Sequence, residues 1–130
     1  MNYIVDTHIL LWSFTDPDNL SKQAQSTLLD EDNSIYYSQC SLWEISLKYS
    51  LKKLQLEQKT PEQFYEVLES SFFLCKPIDN LELVTFYKLP IEHKDPFDRA
   101  IIWQAIVNDF VLVSDDPQFA KYKKYGLRLL

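Results

Sequence analysis

Short runs of β-branched and aromatic residues alternate along this chain with segments that carry helix-start signals, and that alternation leaves few folds open. Tyr3-Ile4-Val5 reads as a buried strand, and Ile35-Tyr36-Tyr37 as a second. Phe72-Phe73-Leu74 reads as a third, ending before Pro77. Phe110-Val111-Leu112-Val113 is uninterrupted and apolar, as a central parallel strand must be, and Leu127–Leu130 fits an edge strand. Between them fall helical segments. One runs from His8 to about Phe14, and one from a Ser21 cap to Leu29. Another runs from Ser41 to Leu54, with Leu47, Leu51 and Leu54 at helical spacing. Thr60-Pro61-Glu62-Gln63 and Asp95-Pro96 combine a cap with proline at the first helical position. Asp79 caps Asn80–Tyr87, and Pro117–Tyr125 closes the series. The reading is a three-layer α/β/α fold with a central, mostly parallel sheet.

A chain of 130 residues, 46% hydrophobic and 25% charged, makes one domain over residues 1–130 with an ordinary core. Its single glycine, Gly126, removes phosphate loops and dinucleotide fingerprints, which need glycine for close backbone approach. Two histidines, His8 and His93, are too few for a histidine-rich metal centre. Cys40 and Cys75 lack any paired spacing and read as reduced thiols, which places the chain in the cytoplasm. The start has no basic leader, and Asp6 breaks its apolar run, so neither a signal peptide nor a membrane span is expected. Nineteen acids against thirteen bases give a net charge of -6, which repels nucleic acid unless bound cations reverse the sign locally.

Chemistry must therefore come from carboxylates, and their positions are informative. Sites in open parallel sheets form beyond the carboxyl ends of strands. Asp6 follows the first strand directly, where an acid has no routine structural job, and Asp115 and Asp116 follow the Phe110–Val113 strand. Asp98 shares a helical face with Ile101 and Ile102, and Glu44 with Leu47 and Leu51. Acids turned toward an apolar side are costly, and a divalent cation relieves that cost. Hard oxygen donors point to Mg²⁺ or Mn²⁺. Each acid also has an ordinary reading: Asp98 complementing its helix dipole, Glu44 pairing with Lys48, Asp115 or Asp116 capping the helix at Pro117.

At Val5-Asp6-Thr7-His8 with Leu10-Leu11-Trp12, at Ser41-Leu42-Trp43-Glu44-Ile45 with Lys48, at His93-Lys94-Asp95-Pro96-Phe97-Asp98-Arg99 and at Val113-Ser114-Asp115-Asp116, the chain resembles the PIN-domain family, most closely its VapC-type toxin branch. The resemblance covers nearly the whole chain. It implies a metal-dependent ribonuclease with Asp6, Glu44, Asp98 and Asp116 as the catalytic acids. Asp6, Asp98 and Asp116 would hold one metal, and Glu44 would join a second or position a water. A Ser/Thr-x-Asp-x-x-Phe pattern, Ser114 to Phe119, selects Asp116 over Asp115. Thr7 and Ser114 correspond to the family's hydroxyls near the metal. Arg99 and Lys48 would orient a carboxylate, contact a phosphate or balance charge. The resemblance also implies a small antitoxin partner that occludes the site, and a toxin homodimer or toxin–antitoxin hetero-oligomer. His8 reads as a capping or packing residue and His93 as a loop residue.

Rival readings meet specific obstacles. A receiver-like signalling module needs an acidic pair after the first strand and an aspartate after a middle strand; this chain has one acid after the first, and Phe72–Lys76 supplies none. An aspartyl-nucleophile phosphatase needs Asp-x-Asp, and Asp6-Thr7-His8 lacks the second acid. A structure-specific DNA nuclease shares the metal chemistry but carries extra segments to grip duplex.

Overall fold

The computed structural model describes residues 1–130 in full. In chain order the elements are β1 (Asn2–Val5), α1 (Thr7–Thr15), a 3₁₀ turn (Pro17–Asn19), α2 (Lys22–Leu29), β2 (Ser34–Ser38), α3 (Gln39–Ser50) and α4 (Pro61–Glu69). Then follow β3 (Leu74–Lys76), α5 (Asn80–Thr85) with a 3₁₀ turn (Phe86–Lys88), α6 (Pro96–Asn108), β4 (Val111–Val113), a 3₁₀ helix (Pro117–Tyr125) and β5 (Arg128–Leu129). The sheet order is β3-β2-β1-β4-β5 and every neighbouring pair is parallel.

Strand alternation divides the core into two. Tyr3, Val5, Val111 and Val113 face one layer, with Ile9 and Leu10 of α1, Leu28 of α2 and Phe64 and Leu68 of α4. Ile4 and Leu112 face the other, with Ile101, Ile102 and Ala105 of α6 and Phe119 and Tyr122 of the 3₁₀ helix. Each fully buried aliphatic side chain here contributes roughly 1.5–3 kcal/mol. The three-layer α/β/α reading therefore holds.

The local start signals were accurate. Ser21, Thr60, Asp79 and Asp95 all cap their helices through the side chain, and Thr60 with Gln63 forms a reciprocal capping box. Other boundaries differ. α3 is capped by Ser38 rather than starting at Ser41, and it stops at Ser50, just ahead of Lys52, which sits at φ 57. Leu47 and Leu51 are exposed, so the buried face of α3 is Cys40, Ser41, Glu44 and Ile45, not the leucine stripe. β3 begins two residues late because the Ser71 hydroxyl accepts the Phe73 N–H, which delays pairing with β2 until Leu74. The last helix is 3₁₀ throughout.

Register positions the site. Val5 lies opposite Tyr37 of β2 and Val113 of β4, so β1 and β4 end level and β2 runs one residue further to Ser38. From β1 the chain runs outward through β2 and β3, then returns to place β4 on the other side of β1. The crevice beyond β1 and β4 is thus the point where strand order reverses, the place where α/β sheets hold ligands. Asp6, Ser114, Asp115 and Asp116 are the residues that leave the strands there.

Candidate active site

Asp6 is 3% exposed and does have a structural job: Oδ1 accepts the Ile9 N–H at 2.8 Å, capping α1. Its other oxygen accepts the Ser114 hydroxyl at 2.5 Å. Burial pushes this carboxyl up to about 7, although the Ser114 and Ile9 hydrogen bonds favour the ionised form. The neighbouring charges of Asp115 and Glu44 add to the rise. Thr7 is buried beside it, but its hydroxyl pairs with that of Ser41 at 2.8 Å rather than with an acid.

Glu44 enters from α3, 5% exposed. Lys48, one helical turn on, pairs with Oε2, while Oε1 is buried with no hydrogen-bond partner. Partial burial works to lower the Lys48 ammonium, and the Glu44 carboxylate outweighs it, so that group titrates above its ordinary range.

Asp98 sits in the first turn of α6 but does not cap it. Asp95 does, accepting the N–H groups of Phe97 at 2.8 Å and Asp98 at 3.3 Å. Burial raises the Asp98 carboxyl to about 7, with further contributions from the charges of Asp95, Asp6 and Glu44, and only His93 opposes them. Asp116 does cap the following 3₁₀ helix: Oδ1 accepts the Gln118 N–H at 2.9 Å. Its N–H is held by the Ser114 hydroxyl at 3.1 Å, and Oδ2 turns toward Asp98. Asp115 is exposed at the rim.

These side chains open onto one cleft of about 510 Å³. Asp6, Glu44, Asp95, Asp98, Asp115 and Asp116 line it, against Lys48 and Lys53 as the only basic side chains besides His8. Of the supporting residues, Thr7 and Lys48 line the cleft, and Ser114 braces Asp6 and Asp116 from below. Arg99 does not reach it: the guanidinium donates to the Leu89 carbonyl at 3.0 Å and lies over the Phe86 ring.

His93, read from the sequence as a loop residue, lies against the acidic cluster. It is 8% exposed, with Nε2 3.2 Å from Asp98 Oδ2 and 3.5 Å from Asp116 Oδ2. These three side chains form the tightest grouping of metal-competent atoms, all within 4.8 Å of one another. The signal available was its place five residues before Asp98 in the His93–Arg99 stretch.

The residues fit a divalent cation. Glu44 Oε1, one of three buried side-chain polar atoms without a partner, belongs to this cluster. Burial raises two of these carboxyls, and neither the hydrogen bonds on Asp6 nor the His93 ring beside Asp98 offsets it. The donors are mostly carboxylate oxygens, which suits a hard cation; Asp6, Asp98 and Asp116, with Glu44 beside them, are the candidate ligands.

Comparison with curated protein sequences gives no match. Among solved structures, VapBC2 from Rickettsia felis bound to a promoter DNA fragment superposes with a TM-score of 0.72 at 22% identity, over 100% of this chain and 98% of that one. DNA-bound VapBC from Salmonella typhimurium gives 0.71 at 17%, over 100% and 97%, and VapBC-1 from nontypeable Haemophilus influenzae 0.69 at 17%, over 100% and 97%. Identities this low establish the shared fold alone. The profile of the PIN domain matches residues 3–125, which takes in every strand from β1 to β4 and every acid of the cleft. The chain belongs to the PIN domain family.

Proposed function

We propose that this protein is a metal-dependent endoribonuclease that uses Mg²⁺ or Mn²⁺ and serves as the toxin of a toxin–antitoxin pair. The observation that carries the nuclease reading is the cleft itself, where Asp6 and Asp98 are buried with raised carboxyls and Glu44 leaves one oxygen unpartnered. When bound, a divalent cation acidifies water and stabilises the charge that builds on a phosphodiester under attack.

The residues divide the remaining work. Asp6, Asp98 and Asp116 hold the cation, two of them fixed as helix caps whose second oxygen turns away from the cap. Glu44, with Oε1 free, is placed to accept a proton from the attacking water. Ser114 keeps Asp6 and the Asp116 backbone in register. Lys48 and Lys53 lie at the cleft for phosphate oxygens, and the exposed His8 packs edge-on to Trp12, offering aromatic surface to an unpaired base.

The solved neighbours are VapBC assemblies, two of them bound to DNA. Carried to this chain, that supports a small antitoxin partner that covers the cleft, within a toxin homodimer or toxin–antitoxin hetero-oligomer. No helix is long and apolar enough to cross a membrane.

The test is incubation of total cellular RNA, and in parallel single-stranded DNA, with antitoxin-free protein plus Mg²⁺, Mn²⁺ or EDTA, beside Asp6→Asn. Cuts at a few RNA sites that need metal and vanish in the variant are expected. Folded protein that cuts neither polymer with either metal would sink the nuclease assignment; cleavage confined to DNA would correct its substrate.

A further inference from the structure

His93 presents itself as a third ligand beside Asp98 and Asp116, and its surroundings argue for a different task. The loop that carries it is pinned by Tyr122, which is fully buried: the Tyr122 hydroxyl accepts the N–H groups of Glu92 and His93, each at 2.9 Å, and donates to the Pro90 carbonyl at 2.9 Å. That uses the one donor and both acceptor positions a phenol has. The ring itself rests edge-on against Phe119, with centroids 5.8 Å apart. Position and plane are therefore imposed from outside the carboxylate cluster.

The remaining freedom is the tautomer, and the backbone decides it. His93 Nδ1 accepts the Asp95 N–H at 3.1 Å. A nitrogen that accepts carries no hydrogen, so in the neutral ring the hydrogen sits on Nε2. Binding a cation through Nε2 would require the opposite tautomer, which turns an Nδ1–H against the Asp95 N–H. Nε2 is buried and lies between two carboxylate oxygens, 3.2 Å from one and 3.5 Å from the other, without being aligned on either. That is where a shared donor belongs.

We propose that His93 is a positioning residue, an Nε2–H donor set between Asp98 and Asp116, and not a metal ligand. The two acids come from α6 and from the turn after β4, and nothing else in the structure ties their carboxylates together. A donor between them offsets their repulsion and holds the two Oδ2 atoms side by side at the cleft. The inference rests on the cation-binding part of the function proposed above, and is independent of what polymer is cut.

Two measurements on the intact protein test it. In the metal-free wild type, long-range ¹⁵N–¹H NMR of the imidazole should find hydrogen on Nε2 and none on Nδ1. Mn²⁺ titration followed by EPR should give His93→Ala an affinity about 10- to 100-fold weaker than wild type, the usual cost of removing a residue that orients ligands. His93→Gln, whose amide keeps a donor near the Nε2 position, should recover most of it. Pulsed EPR of bound Mn²⁺ should show no directly coordinated nitrogen. An Nδ1–H tautomer, a coordinated nitrogen lost in His93→Ala, or unchanged affinity in His93→Ala would each overturn the proposal while leaving the cation site standing. Absence of Mn²⁺ binding by folded wild type would overturn both.

Discussion

Two Lys–Glu pairs in this protein are alike in chemistry and unlike in completion. Glu82 and Glu44 are each 6% exposed at the side chain, and each has a lysine on one oxygen. Around Glu82 both oxygens are engaged: Lys76 Nζ at 3.0 Å and Asn108 Nδ2 at 3.3 Å on Oε1, and Gln104 Nε2 at 2.9 Å on Oε2. Gln104 in turn accepts the Ser38 hydroxyl that caps α3, at 2.5 Å. Glu44 has only Lys48, a partner 41% exposed, and its Oε1 is bare. Burying an acid is no sign of function when donors surround it; burying one with an oxygen unpaired, beside Asp6 and Asp98, is.

The largest predicted effect breaks this contrast on the cleft side. Asp98→Asn should cut metal-dependent RNA cleavage on the order of 10³-fold or more, since the ligand charge goes while the shape remains. Glu82→Gln, equally buried, should leave the cleavage rate per folded molecule near wild type. Equal losses in both variants, measured under single-turnover conditions with saturating RNA, would mean that the two buried acids do not differ in kind.

On the other side, Glu82→Ala should destabilise by about 3–5 kcal/mol, because Lys76, Gln104 and Asn108 lose their shared acceptor together. Urea unfolding of the metal-free protein reads this directly. Asp98→Asn should move the opposite way at neutral pH, raising the midpoint, because a buried carboxylate crowded by Asp95, Asp6 and Glu44 has been neutralised.

What could be read from sequence follows the same division. Ser21, Thr60, Asp79 and Asp95 were legible because capping is local: a side-chain oxygen meets an N–H two or three residues on. The acids at strand ends were legible through topology, once parallel strands were inferred. Arg99, which the resemblance offered for a carboxylate, a phosphate or charge balance, points away from the cleft to the Leu89 carbonyl and the Phe86 ring. Successive residues on a helix lie about 100° apart and point to different sides. His93 was quoted in the His93–Arg99 stretch and read as a loop residue, but its burial beside the acids was not legible, because that depends on Tyr122, which is remote in sequence. Glu44 was found, but the leucines used to orient it face solvent. The end of α3 escaped because a left-handed Lys52 carries no sequence signal.

The pH dependence of stability separates the two regions further. Asp6 and Asp98 sit at about 7 in the folded chain, well above the ordinary carboxylate value of 3.8. Between those limits the folded protein binds more protons than the unfolded one, so stability falls as pH rises. Metal-free protein should lose stability from about pH 4 upward, on the order of 3 kcal/mol for each of the two groups by pH 7, and level off about one unit above 7. Asp6→Asn and Asp98→Asn should each flatten the fall, and Glu82→Gln should not. Saturating Mg²⁺ should reverse its sign, because a cation bound by ionised carboxylates stabilises more as pH rises. A metal-free chemical-denaturation series that is flat across this range would mean that the cleft acids carry no unmet charge.

The smallest effect bears on the lysines. Lys48 is 41% exposed and its pairing with Glu44 spans one helical turn, so Lys48→Gln should change stability by less than about 1 kcal/mol. Its influence lies on the cleft, where its ammonium occupies the charge that a cation would otherwise take. Removing it should tighten Mn²⁺ binding a few-fold while slowing cleavage if the ammonium also meets substrate phosphate, and isothermal titration beside cleavage kinetics reads both. Lys76→Gln is the matched control: it loses more stability, because its side chain is only 18% exposed and shares an acceptor with Asn108, and it leaves Mn²⁺ affinity alone. Should Lys48→Gln instead weaken Mn²⁺ binding, the lysine would be holding Glu44 in its ligating orientation rather than competing for it. Glu44 would then resemble Glu82 more closely than its unpartnered oxygen suggests.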